Sequence, residues 1–411
     1  MPTAGTIQDL PFERGRAGRV ANAKAALPVD VVEAFHAGMF RTDALVDAVA
    51  DDIAAMPRGE GWQFLDRAFR DRTPAVQGAP PSIEALLAPL MDPPAWYDAE
   101  QITLGAAVWW RFVPGVVIGL TGSLISGMEF GDLNKPQAFN GRSVTMAARR
   151  YEETARWVLA VSEPGAAGPG GAGFDATVRV RLVHAMVRRH LRRSGEWDSV
   201  AWGEPIHTSG MALTNLAFLL MPLAFYDLVG VEVTAEETEA VRQLWRWVGY
   251  LMGVPDELLP TSMELADQLS RTGNMVLAPP DADSKVLVGA VRRAGIRAER
   301  VLPRPLWPLL GPVVRPPVSA VVWGASNAVV KKSIITDDSG SGPLSIPARE
   351  AHLAIKTLRP LVRLREQRRV RGALGSDLQI ATRQREHLAG TLALVKAAPQ
   401  VLHPEDAVHA G

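Results

Sequence analysis

Three observations predict an all-α protein. Apolar residues recur at helical spacing through most of the 411 residues, no run of alternating β-branched residues reads as a strand, and Gly/Pro-rich breaks separate the helical periods. Basic and acidic residues both number 44, so the net charge is zero and the whole chain carries no footprint for nucleic acid or anionic lipid. The absence of cysteine excludes a disulfide framework and any thiolate metal ligand. The expected organisation is a polar lead-in over residues 1–28, one helical domain over 29–400 and a tail over 401–411.

The lead-in has arginines but neither an apolar run of signal-peptide length nor a twin-arginine start, which leads to the expectation of a cytoplasmic protein. A helix then reads from Val29 (VDVVEAFHAGMF), with His36 a partly exposed helix residue. Thr42 is the expected N-cap of DALVDAVADDIAAM, and Ser82 that of IEALLAPLM. Residues 101–127 are the most apolar stretch and long enough to suggest a membrane span. Arg111 lies inside it, at an insertion cost of about 2.5–3.5 kcal/mol, and Pro114 follows, so the expectation is a buried helix pair and no span. Gly115, Gly119 and Gly122 there would let another backbone or a flat ligand approach closely.

Further on, Gly168, Gly170 and Gly173 spell GxGxxG, but a helical period precedes them where a dinucleotide fold needs a strand; a flexible linker is expected. Glu204 and His207 form a lone E-x-x-H that Pro205 interrupts, and the second copy a di-iron bundle needs is absent. The run TSGMALTNLAFLLMPLAFYDLVG is apolar nearly all round, so it should lie at the centre, and Thr234 with Glu237 forms a capping box for the next helix. Prolines crowd residues 303–317, an acidic Gly/Ser loop covers 336–345, and residues 349–374 form a basic helical stretch whose charges read as a solvated face or, as the lesser alternative, a site for an anionic partner. The eleven tryptophans read as packing, although Trp109, Trp110 and Trp157 are also placed to face a ring.

Residues 149–193 hold the spacing that carries chemistry. Two helical patterns flank the Gly/Pro/Ala break, which favours an antiparallel pair. Arg150 and Thr154 share a face of the first, and Arg181, His184 and Arg188 share a face of the second. A neutral imidazole between two guanidiniums suits haem b: His184 for the iron, Arg181 and Arg188 for the propionates. The commoner identity of a histidine in an arginine-rich helix, a solvated or capping residue, stands beside it.

The blocks NGRSVTMAARRYEET, RLVHAMVRRH, WGEPIHTSG and WVGYLMGVPDELLP, in that order, resemble the family of latex-clearing proteins and mycophenolic-acid-pathway oxygenases over roughly residues 90–265. The resemblance implies a globin-like helical core around one haem b, with extra helices covering it, and an oxygenase that combines dioxygen with a hydrophobic, olefinic substrate. By position it assigns His184 as proximal iron ligand, Arg150 and Thr154 as the pair beside the haem, and Arg181 and Arg188 as arginines near the pocket. Two positions depart from the rubber-cleaving members: Glu153 stands where they carry a distal lysine, and Asn134 where they carry a glutamate base. Glu153 is then a candidate acid/base, and Glu129 and Asp132 are near enough in sequence to replace the missing glutamate. A haem-binding sensor or carrier, and a haem-free helical scaffold, remain the alternatives.

Overall fold

The computed structural model describes residues 11–139, 147–294 and 348–393. They form seventeen α-helices and one 3-10 turn, with no strand among them. The motif segment 140–146, the proline-rich 303–317, the acidic loop 336–345 and the tail 401–411 lie outside the described residues.

Proline at the first turn opens α1 (Pro11–Ala26), within what reads as a polar lead-in. The segment is helical because Ala23 and Leu27 bury an apolar edge and Arg16, 1% exposed, donates to the carbonyls of Val200 and Ala201. α2 (Val29–Gly38) follows, and α3 (Ala44–Ala55) is capped by Asp43, not Thr42: the Asp43 carboxylate accepts from Val46 N while the Thr42 hydroxyl donates to Asp47. α4 (Glu60–Asp71) buries Phe64, Leu65, Ala68 and Phe69 along one stripe. α5 (Pro81–Met91) begins a residue before Ser82, whose hydroxyl goes to Asp52 at 2.5 Å instead of capping.

α6 (Ala99–Trp109) and α7 (Val113–Glu129) divide the apolar stretch with a 93° bend. Arg111 sits in the bend with its side chain fully buried, paired with Glu237 and Asp377 and donating to Glu232 O. Burial alone would weaken its charge, but the hydrogen bonds and charges of Glu237 and Asp377 more than offset that and raise its pKa. The central helix is α12 (Thr208–Val229), long and apolar enough to cross a membrane yet largely buried in the protein. α7 runs antiparallel to it at close range, since a Cβ on Gly119 would meet Pro222 and one on Gly115 would meet Tyr226. Thr234 and Glu237 form the capping box of α13 (Ala235–Leu251), which packs on α6 so closely that Gly105 abuts Ala240 O.

The rest of the framework comprises α8 (Lys135–Ala138), α9 (Ala147–Val161), α10 (Ala172–Arg193), α11 (Ser199–Trp202), α14 (Met263–Val276), α15 (Ala282–Ala294), α16 (Ala348–Val370) and α17 (Asp377–Ala393). The glycine-rich connection from α9 to α10 is a tight, packed turn and not a flexible linker. Gly165 and Gly170 take positive φ, a Cβ on Gly173 would strike Ala160 O, and Trp247 Nε1 donates to Ala167 O at 2.8 Å. At the centre, Trp109 lies against Trp110 and Trp245, and Phe218 stacks on Trp245 with ring centroids 5.0 Å apart. Trp109 and Trp110 are fully buried with satisfied ring N–H groups, so the packing role of these two rings holds.

Candidate active site

The site grows from one contact: Trp157 of α9 donates to Thr177 Oγ1 of α10 at 3.1 Å, while its ring lies 5.5 Å from Phe218 of α12. Three helix faces meet there, and the helical repeat extends each of them. On α9 the positions preceding Trp157 on its face are Thr154, Glu153 and Arg150. On α10 the face of Thr177 returns two turns later at His184. On α12 the positions preceding Phe218 are Thr214 and Met211.

All three runs leave the contact in the same direction. α9 and α10 are antiparallel, with Gly173 against Ala160 and Thr177 against Trp157, and that register puts position 150 level with His184. α10 and α13 run in the same sense, because Ala167 O meets Trp247 and Arg181 donates to Leu251 O. α13 and α12 run oppositely, with Phe218 on Trp245 and Asn215 beside Gly249. Thus Arg150, His184 and Met211 occupy one end of the arrangement. α10 and α12 both pack on α13 but barely on each other. His184, Val180 and Val187 are only partly buried on an otherwise buried arc of α10, and Thr214 of α12 and Thr154 of α9 are exposed.

α7 closes a further side. Ser123 donates to Ala217 O at 3.1 Å, and the same antiparallel register brings Glu129 level with Met211. Burial raises the Glu129 carboxyl above its ordinary range. Asp132 is also raised by burial, but it accepts from Ala278 N at 3.0 Å and lies 3.8 Å from Arg16, so it serves the framework. Asn134, fully buried, gives its amide hydrogens to Met128 O and Ser284 Oγ. It ties α8 to α15, and an amide cannot act as a base.

One expectation is corrected here. Arg181 and Arg188 are not free for propionates: Arg181 takes Asp43 in a two-pronged pair at 2.5 and 2.9 Å and adds Leu251 O, and Arg188 takes Asp47 with the carbonyls of Pro205 and Ile206. Their charges are matched by carboxylates at the start of α3, so they fasten α10 to α3. His207 is no ligand candidate, because its Nδ1 accepts from Gly210 N at 2.9 Å and caps α12. Burial, helped by Arg16 and Arg188, lowers its pKa to about 3 and keeps it neutral. The side chain of Arg150 lies outside the described residues.

No group of three or more potential metal ligands occurs among the described residues; a macrocycle would bring four nitrogens of its own and need one axial ligand from the protein, for which His184 is the residue the sequence offers. Residues 109–333, which include α7, α9, α10, α12 and α13, match the family model described as ER-bound oxygenase mpaB/B'/Rubber oxygenase, catalytic domain. The chain belongs to this oxygenase family. Within it, the chain is 24% identical over 282 residues to the rubber oxygenase of Streptomyces sp. (strain K30), covering 58% of this chain and 68% of that protein. The fold is similar to that of a latex clearing protein in the closed state, with a TM-score of 0.57, 20% identity and coverage of 88% of this chain and 91% of the other.

Sequence reasoning missed Thr214 and Met211. The signal for the first was present, since Thr214 and Asn215 are adjacent polar residues inside an otherwise apolar helix. Asp43 and Asp47 were also missed as partners of the arginines, because no local spacing links residues 138 and 141 positions apart.

Proposed function

We propose that this oxygenase-family protein binds haem b through His184 and acts with dioxygen on small hydrophobic olefins, isoprenoids among them. The observation that carries the reading is the position of His184, partly buried on an otherwise buried arc of α10 and level with position 150 of α9. Bound there, haem b would supply the iron that activates dioxygen. The neutral imidazole would hold it from one side, and Val180 and Val187 beside it would exclude water from that face. Thr154, exposed on the face of α9 that carries position 150, would orient a polar end of the reactants, while the Thr214 hydroxyl donates to Gly210 O of its own helix. Glu129, raised by burial, is placed to hold or deliver a proton near Met211, and Glu153 offers a second carboxyl on the face of Thr154.

Small olefins are preferred over polymer because Glu153 and Asn134 replace the lysine and glutamate of the rubber-cleaving members, and Asn134 is committed to structure. Apolar burial at about 25 cal/mol per Å² binds such molecules with few specific contacts. The test is aerobic incubation with short terpenoids and, separately, polyisoprene latex, following oxygen uptake and carbonyl products. Reaction with a terpenoid supports the proposal; carbonyl-ended oligomers from latex alone overturn the substrate assignment. The same loss of base and lysine favours a haem carrier as second reading, and a Soret band with no oxygen uptake on any olefin would select it.

A further inference from the structure

The basic stretch predicted as a solvated face shows a feature that solvation does not explain. Leu361, Leu364, Val370 and Leu378 are 67%, 59%, 67% and 51% exposed. They are four of the eight large apolar side chains exposed among the described residues, gathered on α16 and the first turn of α17. Lys356, Arg359, Arg363, Arg368 and Arg371 are exposed on the same helix and its C-terminal edge, without an ion-pair partner among the described residues. The one acid between residues 351 and 371, Glu366, is buried and taken by Arg365 and Arg369. Val362 and Glu366 define the side that packs on the protein; by helical spacing Leu361, Leu364 and Arg368 lie on the opposite side with Lys356 and Arg363 at its edge, while Arg359 and Val370 fall nearer the packed side. This region lies beyond the residues matched by the family model.

We propose that this face of α16, with its turn into α17, docks on an anionic lipid surface. The guanidiniums of Arg363 and Arg368 meet headgroup phosphates, while Leu361 and Leu364 enter the boundary with the acyl chains; long arginine stems span the two layers. A lipid interface satisfies both sets of side chains at once, whereas an acidic protein would satisfy the cations and leave the leucines wet. Zero net charge does not oppose this, because the charge that acts lies within a Debye length of the surface. Docking would bring a site for apolar substrates to the phase that dissolves them. That link alone rests on the proposed function; the docking itself does not depend on haem or turnover.

The experiment is co-sedimentation of the full chain with vesicles of phosphatidylcholine alone or with about one-third phosphatidylserine. Binding to the anionic vesicles only, weakened by high salt, is expected. Arg363→Gln, Arg368→Gln and Arg371→Gln should each lower the partition coefficient about fivefold, and their combination roughly a hundredfold. The pair Leu361→Ser and Leu364→Ser should lower it at least tenfold at unchanged charge. Circular dichroism checks folding, which these exposed side chains should leave intact. No sedimentation with anionic vesicles at low salt, or equal binding by both variants and the parent, overturns the proposal. Retention on immobilised polyglutamate without vesicle binding also overturns it and assigns the face to an acidic protein.

Discussion

At the scale of single residues, two histidines separate by what they touch. His184→Ala should give folded protein that lacks a Soret band after purification and haem titration, because one axial ligand is removed. His207→Ala should keep haem and instead lower the thermal midpoint, since losing the α12 cap costs about 0.5–2 kcal/mol. Full haem occupancy in the first variant would end the ligand assignment. Glu153→Lys restores the residue type of the rubber-cleaving members, so the ferric spectrum should move from a form without a distal nitrogen to a six-coordinate low-spin form. The ligand candidate His184 was legible because helical spacing groups it with its neighbours. Its charge environment was not: Asp43 and Asp47 come from a helix far away in sequence, and only packing reveals them.

At the scale of elements, the pairing of α10 with α3 tests whether its arginines are structural. Removing one partner of a largely buried pair leaves a charge stranded, so Arg181→Ala should destabilise by about 3–5 kcal/mol in urea unfolding. Adding Asp43→Asn, which removes the stranded charge and keeps a capping side chain, should recover part of that loss, and the folded fraction should still bind haem. A loss of haem affinity without a loss of stability would return Arg181 to the pocket. Helix existence was well foreseen because apolar periodicity is a local property. The start of α3 was misplaced by one residue and that of α5 by two: Asp43 competed with Thr42 for the cap, and Ser82 found a partner thirty positions away in Asp52. The capping box of α13 was read correctly because both of its partners lie within four residues.

At the scale of the whole molecule, His207 predicts a dependence of stability on pH. Its imidazole stays neutral in the fold down to about pH 3, while an unfolded imidazole charges near 6.5. Between those values the unfolded chain holds the extra proton, so stability that is complete above pH 6.5 declines as the pH falls, by about 2 kcal/mol at pH 5. Glu129 and Asp132, raised by burial, act in the opposite sense and favour the fold at the acid side of their own titrations. Urea midpoints at pH 7 and 5 should differ less for His207→Gln than for the parent, and equal differences would contradict the assignment. The all-α architecture was readable from the chain because it needs only repeated local patterns, whereas the register that sets position 150 level with His184 comes from tertiary packing. The buried Arg111 also sets an order of events in synthesis. Its two carboxylates follow it by 126 and 266 residues, so at about 5–20 residues per second the second arrives roughly 13–53 s after the arginine is made. Until then the sharp bend carries a cation only half matched, and the nascent protein has reason to keep that corner open to water until α17 is complete.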